Sequence, residues 1–447
     1  MKTIRIGCGA GFSGDRIDPA VELAERGKLD YLVFECLAER TIAIAQQARS
    51  RDARLGFDPM LDERLEAVLP ACRANGVTVI TNMGAANPVA AVERSREIAR
   101  ALGQTGLRIA AVTGDDVLDL VTAGDGIVEE TGRPVAELRD RLVSANAYVG
   151  YEPVAEALAA GANLIITGRC ADPSLFVAPL AHTFGWRADD WAQLGRGTLV
   201  GHLLECAGQV SGGYFADPGF KDVPDLAGLG FPVAEVPAHG PTVITKVPGS
   251  GGAVTLATCK EQLLYEIQDP AAYVTPDVTA DFTEVSMAEA GADRVAVDGA
   301  KGRSRPVSLK VSLGYRDGYI GEGQISYAGA GAVDRARQAG EIVLKRLVRR
   351  GISAGNIRCD LIGVDALHGP SLSASRVEGP YEVRLRVTAH VDRAIDAGWV
   401  GHEVEALYTN GPAGGGGVTK QVREVLSIAS TFVDRRQVQC RVRVEEA

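Results

Sequence analysis

Glu35 is the one charged residue in the run Leu32-Val33-Phe34-Glu35-Cys36-Leu37. A carboxyl among such neighbours is partly withdrawn from water, which raises its pKa toward the range of a general acid or base. The plainer alternative is a strand-end glutamate paired with an arginine. Asp115 and Asp116 follow another apolar run. Asp115 can share proton transfer with Glu35 or help bind a divalent ion, and such pairs also cap helices. Arg169 closes a third run, with Asp172 three residues on. A guanidinium fork at a strand tip suits bidentate capture of a carboxylate, or it pairs with Asp172. His202 and Glu205 share one helix face. With Cys206 they supply at most three metal ligands, and no second cluster stands at zinc spacing. His202 is therefore taken as catalytic and no metal is expected; ligation and a packed structural histidine are the alternatives.

Backbone amides form a second set of groups. Gly9-Ala10-Gly11-Phe12-Ser13-Gly14 spells G-x-G-x-x-G after a short apolar run, the phosphate-cradling pattern of dinucleotide folds. Glu35 stands where such folds place a ribose ligand, about 20 residues on. In that motif the helix begins within the glycines, so that its dipole meets the pyrophosphate. Here the start signal is Asp18-Pro19, an N-cap and a first-turn proline. Gly14-Asp15-Arg16-Ile17 is then extra loop, and Asp15 repels a pyrophosphate. A substrate loop facing an anion is expected, with Gly9, Gly11, Ser13 and Arg16 as its contacts; a plain tight turn and a dinucleotide loop are the alternatives. Asn82, Gly84 and Asn87 populate the third strand tip.

Near the C-terminus, Asn410 precedes four glycines, Gly414, Gly415, Gly416 and Gly417. Successive free amides form an anion nest. Lys420 adds charge, and a helix expected over 420–430 would aim its N-terminus at the same anion; a flexible linker is the alternative. Neither G-x-x-x-x-G-K-[ST] nor G-x-S-x-G occurs, which speaks against a P-loop hydrolase and an α/β-hydrolase.

These groups need strands that end beneath them. Ile4–Ile6, "LDYLVFECL", "VTVITNMG", "LRIAAVTGDD" and "NLIITGRCADPS" alternate with helices near Asp18–Arg26, Glu39–Ser50 and Pro153–Ala160. That rhythm predicts an α/β fold with a parallel sheet and flanking helices over 1–240, with the site at the carboxyl ends of the strands. Residues 241–304 are rich in Gly and Pro and form a hairpin- and loop-rich connection. "SLKVSLGYRDGYIGEGQISYAG" alternates as an antiparallel hairpin would. A helix near Ala332–Arg350, then "IRCDLIGVDAL", "YEVRLRVTAHV", a further helix and "VQCRVRVEE", complete a smaller α+β domain with a mixed sheet over 305–447.

The 447 residues carry a formal charge of −10, with no basic clustering of the kind that nucleic acid requires. The eight cysteines stand singly, without C-x-x-C. The N-terminus lacks the apolar core of a signal peptide, and no apolar run approaches the ~20 residues of a spanning helix. A cytoplasmic protein with no membrane partner is expected.

"GAGFSGDRIDPAVELAERGKLDYLVFECLAERT", "TNMGAANP", "ITGRCADPSLF", "GTLVGHLLECAGQVSGGYFADPG" and "EALYTNGPAGGGG" resemble the acyclic terpene utilisation protein A family, over residues 9–417. The resemblance implies bacterial catabolism of citronellol- and geraniol-type terpenes through branched acyl-CoA thioesters. Longer members carry a C-terminal ferredoxin-like domain, and this chain stops at Ala447. A small ferredoxin-like partner subunit is therefore expected, with self-association as the other cover for open sheet edges. The resulting expectation is a lyase, of the hydratase or C–C-cleaving kind, acting on a branched hydroxyacyl-CoA or carboxylic acid. Glu35 and Asp115 handle protons and Arg169 orients a carboxylate. No cofactor is favoured, and CoA enters only as part of the substrate. The rivals are a dinucleotide-dependent oxidoreductase and a non-catalytic subunit that needs its partner.

Overall fold

The computed structural model describes residues 2–373 and 379–447. It divides into two compact units, Met1–Gly314 with Ile428–Ala447, and Tyr315–Ser427. The first unit opens as β1 (Thr3–Ala10), α1 (Asp18–Arg26), β2 (Tyr31–Phe34), α2 (Glu39–Arg51), α3 (Leu61–Asn75), β3 (Thr78–Thr81), α4 (Pro88–Ala101) and β4 (Arg108–Thr113). After α5 (Leu118–Ala123) and β5 (Leu142–Ala147) come α6 (Glu152–Ala159), β6 (Leu164–Thr167), α7 (Ser174–Phe184) and α8 (Trp191–Leu204). Strands β1-β2-β3-β6-β4 lie side by side and parallel. The short apolar runs of β2, β3 and β6 at the centre suit strands covered on both faces. Helix α1 begins at Asp18, with Ile17 as its N-cap, one residue before the expected cap.

The connection over 241–304 is more ordered than its glycines and prolines suggest. β7 (Pro232–Pro237) and β8 (Thr242–Lys246) extend the sheet antiparallel from β1. Helix α9 (Leu256–Leu264) follows, N-capped by the Thr255 hydroxyl, which accepts from the Thr258 amide at 3.2 Å. β9 (Tyr273–Val274) and β10 (Thr279–Asp281) begin a small sheet, β11 (Ser286–Glu289) and β12 (Val295–Asp298) lengthen the large one, and β13 (Lys301–Arg303) completes the small one.

Three expectations of local structure are corrected. "SLKVSLGYRDGYIGEGQISYAG" is one strand, β14 (Ser308–Ala328), and not a hairpin. Gly318, at φ +73°, stands inside it without ending it. A Cβ there would stand 2.5 Å from the Val391 carbonyl oxygen. After α10 (Ala332–Arg349), β15 (Ile357–Ile362), α11 (Pro370–Ser373), β16 (Glu382–Val391), α12 (Ala394–Glu405) and α13 (Leu407–Asn410), residues 420–430 lie in strand β17 (Gly416–Asp434) and not in a helix. Val422, Val425 and Ile428 recur through that stretch, and sheet pairing rewards them more than a helix does. Finally, "VQCRVRVEE" yields β18 (Arg441–Glu446), which pairs antiparallel with β4 and so belongs to the first unit's large sheet.

The second unit is built on β15-β16-β14-β17. Ala336, Ala339, Val343 and Leu347 repeat at helical spacing on α10 and pack with Val383, Leu385 and Val387 of β16. Among the described residues, no helix is long and apolar enough to cross a membrane.

Candidate active site

The glycine loop after β1 is shaped by packing. A Cβ on Gly9 would stand 2.6 Å from the Phe34 ring, and one on Gly11 2.6 Å from the Cys206 carbonyl carbon. Gly11 therefore lets the loop touch the segment that follows α8. Two amides at the edges of the loop are already occupied. Asp15 Oδ2 accepts from the Gly11 amide at 2.9 Å and Oδ1 from the Arg16 amide at 2.8 Å. Below, the buried Arg64 donates to the carbonyls of Phe12, Ser13 and Asp15. An anion on the Gly11 amide is thus corrected: the carboxylate there is the chain's own. Arg16 lines the cavity above, paired with Asp18 at 2.5 Å.

That cavity, about 630 Å³, collects the ends of β1, β2, β6 and α8. Glu35 is 8% exposed. Its Oε1 accepts from the Leu37 amide at 3.0 Å and from Asn82 Nδ2 at 2.8 Å, while Asn82 Oδ1 accepts from the Cys36 amide at 2.7 Å. Asn82 thus clamps the strand end and the carboxyl together. Burial, then the nearby Asp172, push the Glu35 pKa well above the ordinary carboxylate range. Arg169, with Nη2 3.9 Å from Oε1, offsets this only in part.

Arg169 is almost fully buried and most of its donors are spent. Nη1 donates to the Leu37 carbonyl, Nε and Nη2 to the Cys170 carbonyl, and Nη2 also to Asp172. The expected bidentate capture of a substrate carboxylate is therefore corrected. A fork needs two free parallel N–H groups, so Arg169 acts through its charge and its hold on Asp172. Its guanidinium lies 4.7 Å from the centre of the Tyr148 ring. The Tyr148 hydroxyl donates to Glu39 at 2.5 Å, and Lys310 Nζ lies 3.4 Å from the same oxygen. Burial opposes the Glu39 charge, but that hydroxyl and Lys310 hold its pKa below the usual value.

A second buried carboxyl lines the cavity. Glu205 follows the last turn of α8, and its Oε1 lies 3.1 Å from His202 Nδ1. His202 is buried and does not line the cavity. Burial pushes the Glu205 pKa to about 7, while His202 pulls the other way. The cavity wall carries six carboxyls, Asp15, Glu35, Glu39, Asp172, Glu205 and Glu266, against Arg16, Arg169 and Lys310. Such a surplus is relieved when buried carboxyls keep protons. It suits a ligand that accepts hydrogen bonds more than a polyanion.

A model of the family described as Acyclic terpene utilisation family protein AtuA matches residues 4–444. The chain belongs to that family. No curated protein and no solved structure matches it.

In this AtuA family member, the other residues singled out by sequence stand apart from the cavity wall. Asp115 is buried behind it. Its Oδ2 accepts from the Arg169 amide at 2.8 Å and from Asn146 Nδ2 at 2.9 Å, and burial raises its pKa to about 6. It supports Arg169 and does not face the cavity. Gly84 allows close approach, since a Cβ would stand 2.5 Å from the Thr167 carbonyl oxygen. Asn87 caps α4 and donates to the carbonyls of Ala53 and Leu55 at 2.8 Å. Asp172, by contrast, lines the cavity.

Asn410, Gly414, Gly415, Gly416 and Lys420 belong to the second unit. There the loop meets cations through carbonyls: Arg335 donates to the Ala413 carbonyl at 2.7 Å and Arg346 to that of Asn410 at 3.1 Å. Lys420 pairs with Glu405 at 2.6 Å. With a strand following the loop, the helix-terminus half of the expected anion site is corrected.

Glu39, Tyr148 and Lys310 carried no sequence signal of their own. Glu205 did: in "LLECA", as in "VFECL", a single charge interrupts an apolar run ahead of a cysteine.

Proposed function

We propose that the chain is a lyase, of the hydratase or C–C-cleaving kind, that acts by acid–base chemistry on a branched hydroxyacyl thioester or hydroxy acid. The observation that carries this is Glu35: a buried carboxyl at a strand tip, with a raised pKa, facing a cavity large enough for such a molecule. Water loss from a β-hydroxy thioester needs one group to take the α-proton and another to protonate the departing hydroxyl. A protonated carboxyl can also hydrogen-bond the carbonyl whose oxygen gains charge as the α-proton leaves. Phe12, Leu37, Leu229 and Phe231 supply apolar wall for a hydrocarbon chain. The carboxyl-rich wall leaves the phosphates of a CoA carrier outside the cavity in this reading. Self-association and a small ferredoxin-like partner belong to the same proposal.

The dinucleotide alternative has less support. Asp15 takes the Gly11 and Arg16 amides and sets a carboxylate where a pyrophosphate would lie, and Glu35 Oε1 is bonded to Asn82 and the Leu37 amide. The test is a mass-resolved screen of hydroxyacyl-CoA and hydroxy-acid substrates for loss of water or chain cleavage, with and without added partner. Turnover should fall about 10²–10⁴-fold in Glu35→Gln, with the melting temperature near that of the parent. Full turnover in that variant would remove Glu35 from the mechanism, and activity confined to the mixture with the partner would favour the subunit reading.

A further inference from the structure

We propose that Glu205 and His202 form a proton relay opening into the cavity, with Glu205 meeting the substrate and His202 as its positioning residue. The inference rests on the acid–base reading above and supplies its second proton-handling group.

The argument starts from hydrogen-bond roles. His202 Nε2 lies 3.1 Å from the Leu263 carbonyl oxygen. A carbonyl only accepts, so Nε2 carries hydrogen. In a neutral ring Nδ1 is then a bare lone pair, and it faces Glu205 Oε1 at 3.1 Å. Two lone pairs do not face each other at that distance, so one proton lies between them. It sits either on Oε1 beside a neutral ring or on Nδ1 in a charged pair. The other oxygen, Oε2, is buried and has no hydrogen-bond partner. A carboxylate with an unpaired buried oxygen is costly, whereas the carbonyl oxygen of a protonated carboxyl bears that state far more cheaply. The resting pair is therefore a neutral imidazole and a carboxylic acid whose proton points at Nδ1.

The ring has no freedom to act otherwise. Its centroid lies 5.2 Å from that of Tyr273 and 6.0 Å from that of Phe282, and its own carbonyl accepts from Gln262 at 3.0 Å. Glu205 lines the cavity and His202 does not. A proton leaving the substrate for the Glu205 carboxyl forms an O–H bond there. The Oε1–H bond breaks as Nδ1–H forms, and the positive charge comes to rest on the imidazole. The electron pair of the broken substrate bond stays on the substrate. The reverse sequence delivers the proton to a leaving oxygen. Asp172, Glu266, Cys206 and Tyr273 are the other titratable groups facing Glu205. Asp172 and Glu266 favour a protonated Glu205, and His202 opposes it.

Infrared difference spectra of the full chain against Glu205→Gln test the pair without turnover. The parent should show a carboxylic-acid C=O band that fades as pH rises through about 7 and is missing from Glu205→Gln. In His202→Phe, which keeps the ring and removes Nδ1, the band should persist to higher pH; His202→Gln serves if that variant fails to fold. On a turned-over substrate, Glu205→Gln should lower kcat about 10²–10⁴-fold with little change in KM. His202→Phe should lower kcat and move its pH profile to the alkaline side, which a purely structural histidine would not do. Identical spectra for parent and Glu205→Gln, or an unmoved pH profile in the His202 variants, would overturn the relay. A Glu205 band that titrates and moves as stated, in a protein inactive on every hydroxyacyl substrate, would support the pair and sink the lyase reading instead.

Discussion

Replacing Asp115 with asparagine should make the first unit more stable, and increasingly so as pH rises. Asp115 Oδ2 accepts from the Arg169 amide and Asn146 Nδ2, two bonds that an amide oxygen at the same place can also accept. What the substitution removes is the charge. Burial raises the Asp115 pKa from 3.8 to about 6 in the folded chain. A carboxyl raised on folding holds its proton more tightly when folded. Its contribution is therefore intact below the unfolded value and is lost as pH rises through about 6. At about 1.36 kcal/mol per pH unit, the separation between 3.8 and about 6 amounts to about 3 kcal/mol once both states are ionised. Roughly half of it, about 1.4 kcal/mol, develops between about pH 5 and pH 8. The assay is denaturant unfolding at those two pH values, followed through Trp186 and Trp191 of the same unit in a Trp399→Phe background. The gap between variant and parent should widen by that amount at the higher pH, in the variant's favour. Parallel curves, or a gap that widens on acidification, would show that the buried carboxyl is not held against its charge.

Gly11→Ala places a methyl 2.6 Å from the Cys206 backbone, and overpacking of this kind costs about 1–3 kcal/mol; an unchanged melting temperature would mean the loop does not close on that segment. NAD(P)(H) and FAD should show no micromolar binding by calorimetry, because Asp15 holds the Gly11 and Arg16 amides and puts its charge in the loop, and a measured micromolar affinity would promote the oxidoreductase reading. Lys420→Ala should leave the melting temperature essentially unchanged, since its pair with Glu405 is solvent-exposed and screened; a marked drop would assign the glycine-rich loop a larger part in the second unit.

The parallel centre was legible because β2, β3 and β6 are short runs of residues that belong inside a sheet. Glu35 was legible for the complementary reason, as a lone charge in such a run. The Asp18-Pro19 signal marks the loop's extra length, and so speaks against a dinucleotide reading from the sequence alone. β5, "LVSANA", escaped notice because its polar residues blur the pattern, although Ser144 and Asn146 are buried. Residues 420–430 carry polar and apolar positions that fit either period, and only the neighbouring strand decides. Asp15 was recognised as hostile to a phosphate, but that it satisfies the loop's own amides is a matter of three-dimensional approach. So is the contact of Gly11 with Cys206, which joins residues far apart in the chain. Arg169 and Asp115 stand out in the sequence at the ends of apolar runs, yet hydrogen-bond saturation turns one into a charge held in place and the other into its support.

The partnership of β4 with β18 also sets an order of events during synthesis. β4 is made early, and its outer edge waits for Arg441–Glu446, more than three hundred residues later. At about 5–20 residues per second, that wait is roughly 15–70 s. The second unit, one unbroken stretch from Tyr315 to Ser427, leaves the ribosome inside that interval. Throughout it the nascent first unit carries a bare strand edge, the kind of surface on which chains pair with one another. Recovery of folded protein from a cell therefore depends on how quickly translation crosses the stretch between Thr113 and Arg441, and on how many neighbouring chains are waiting at the same stage.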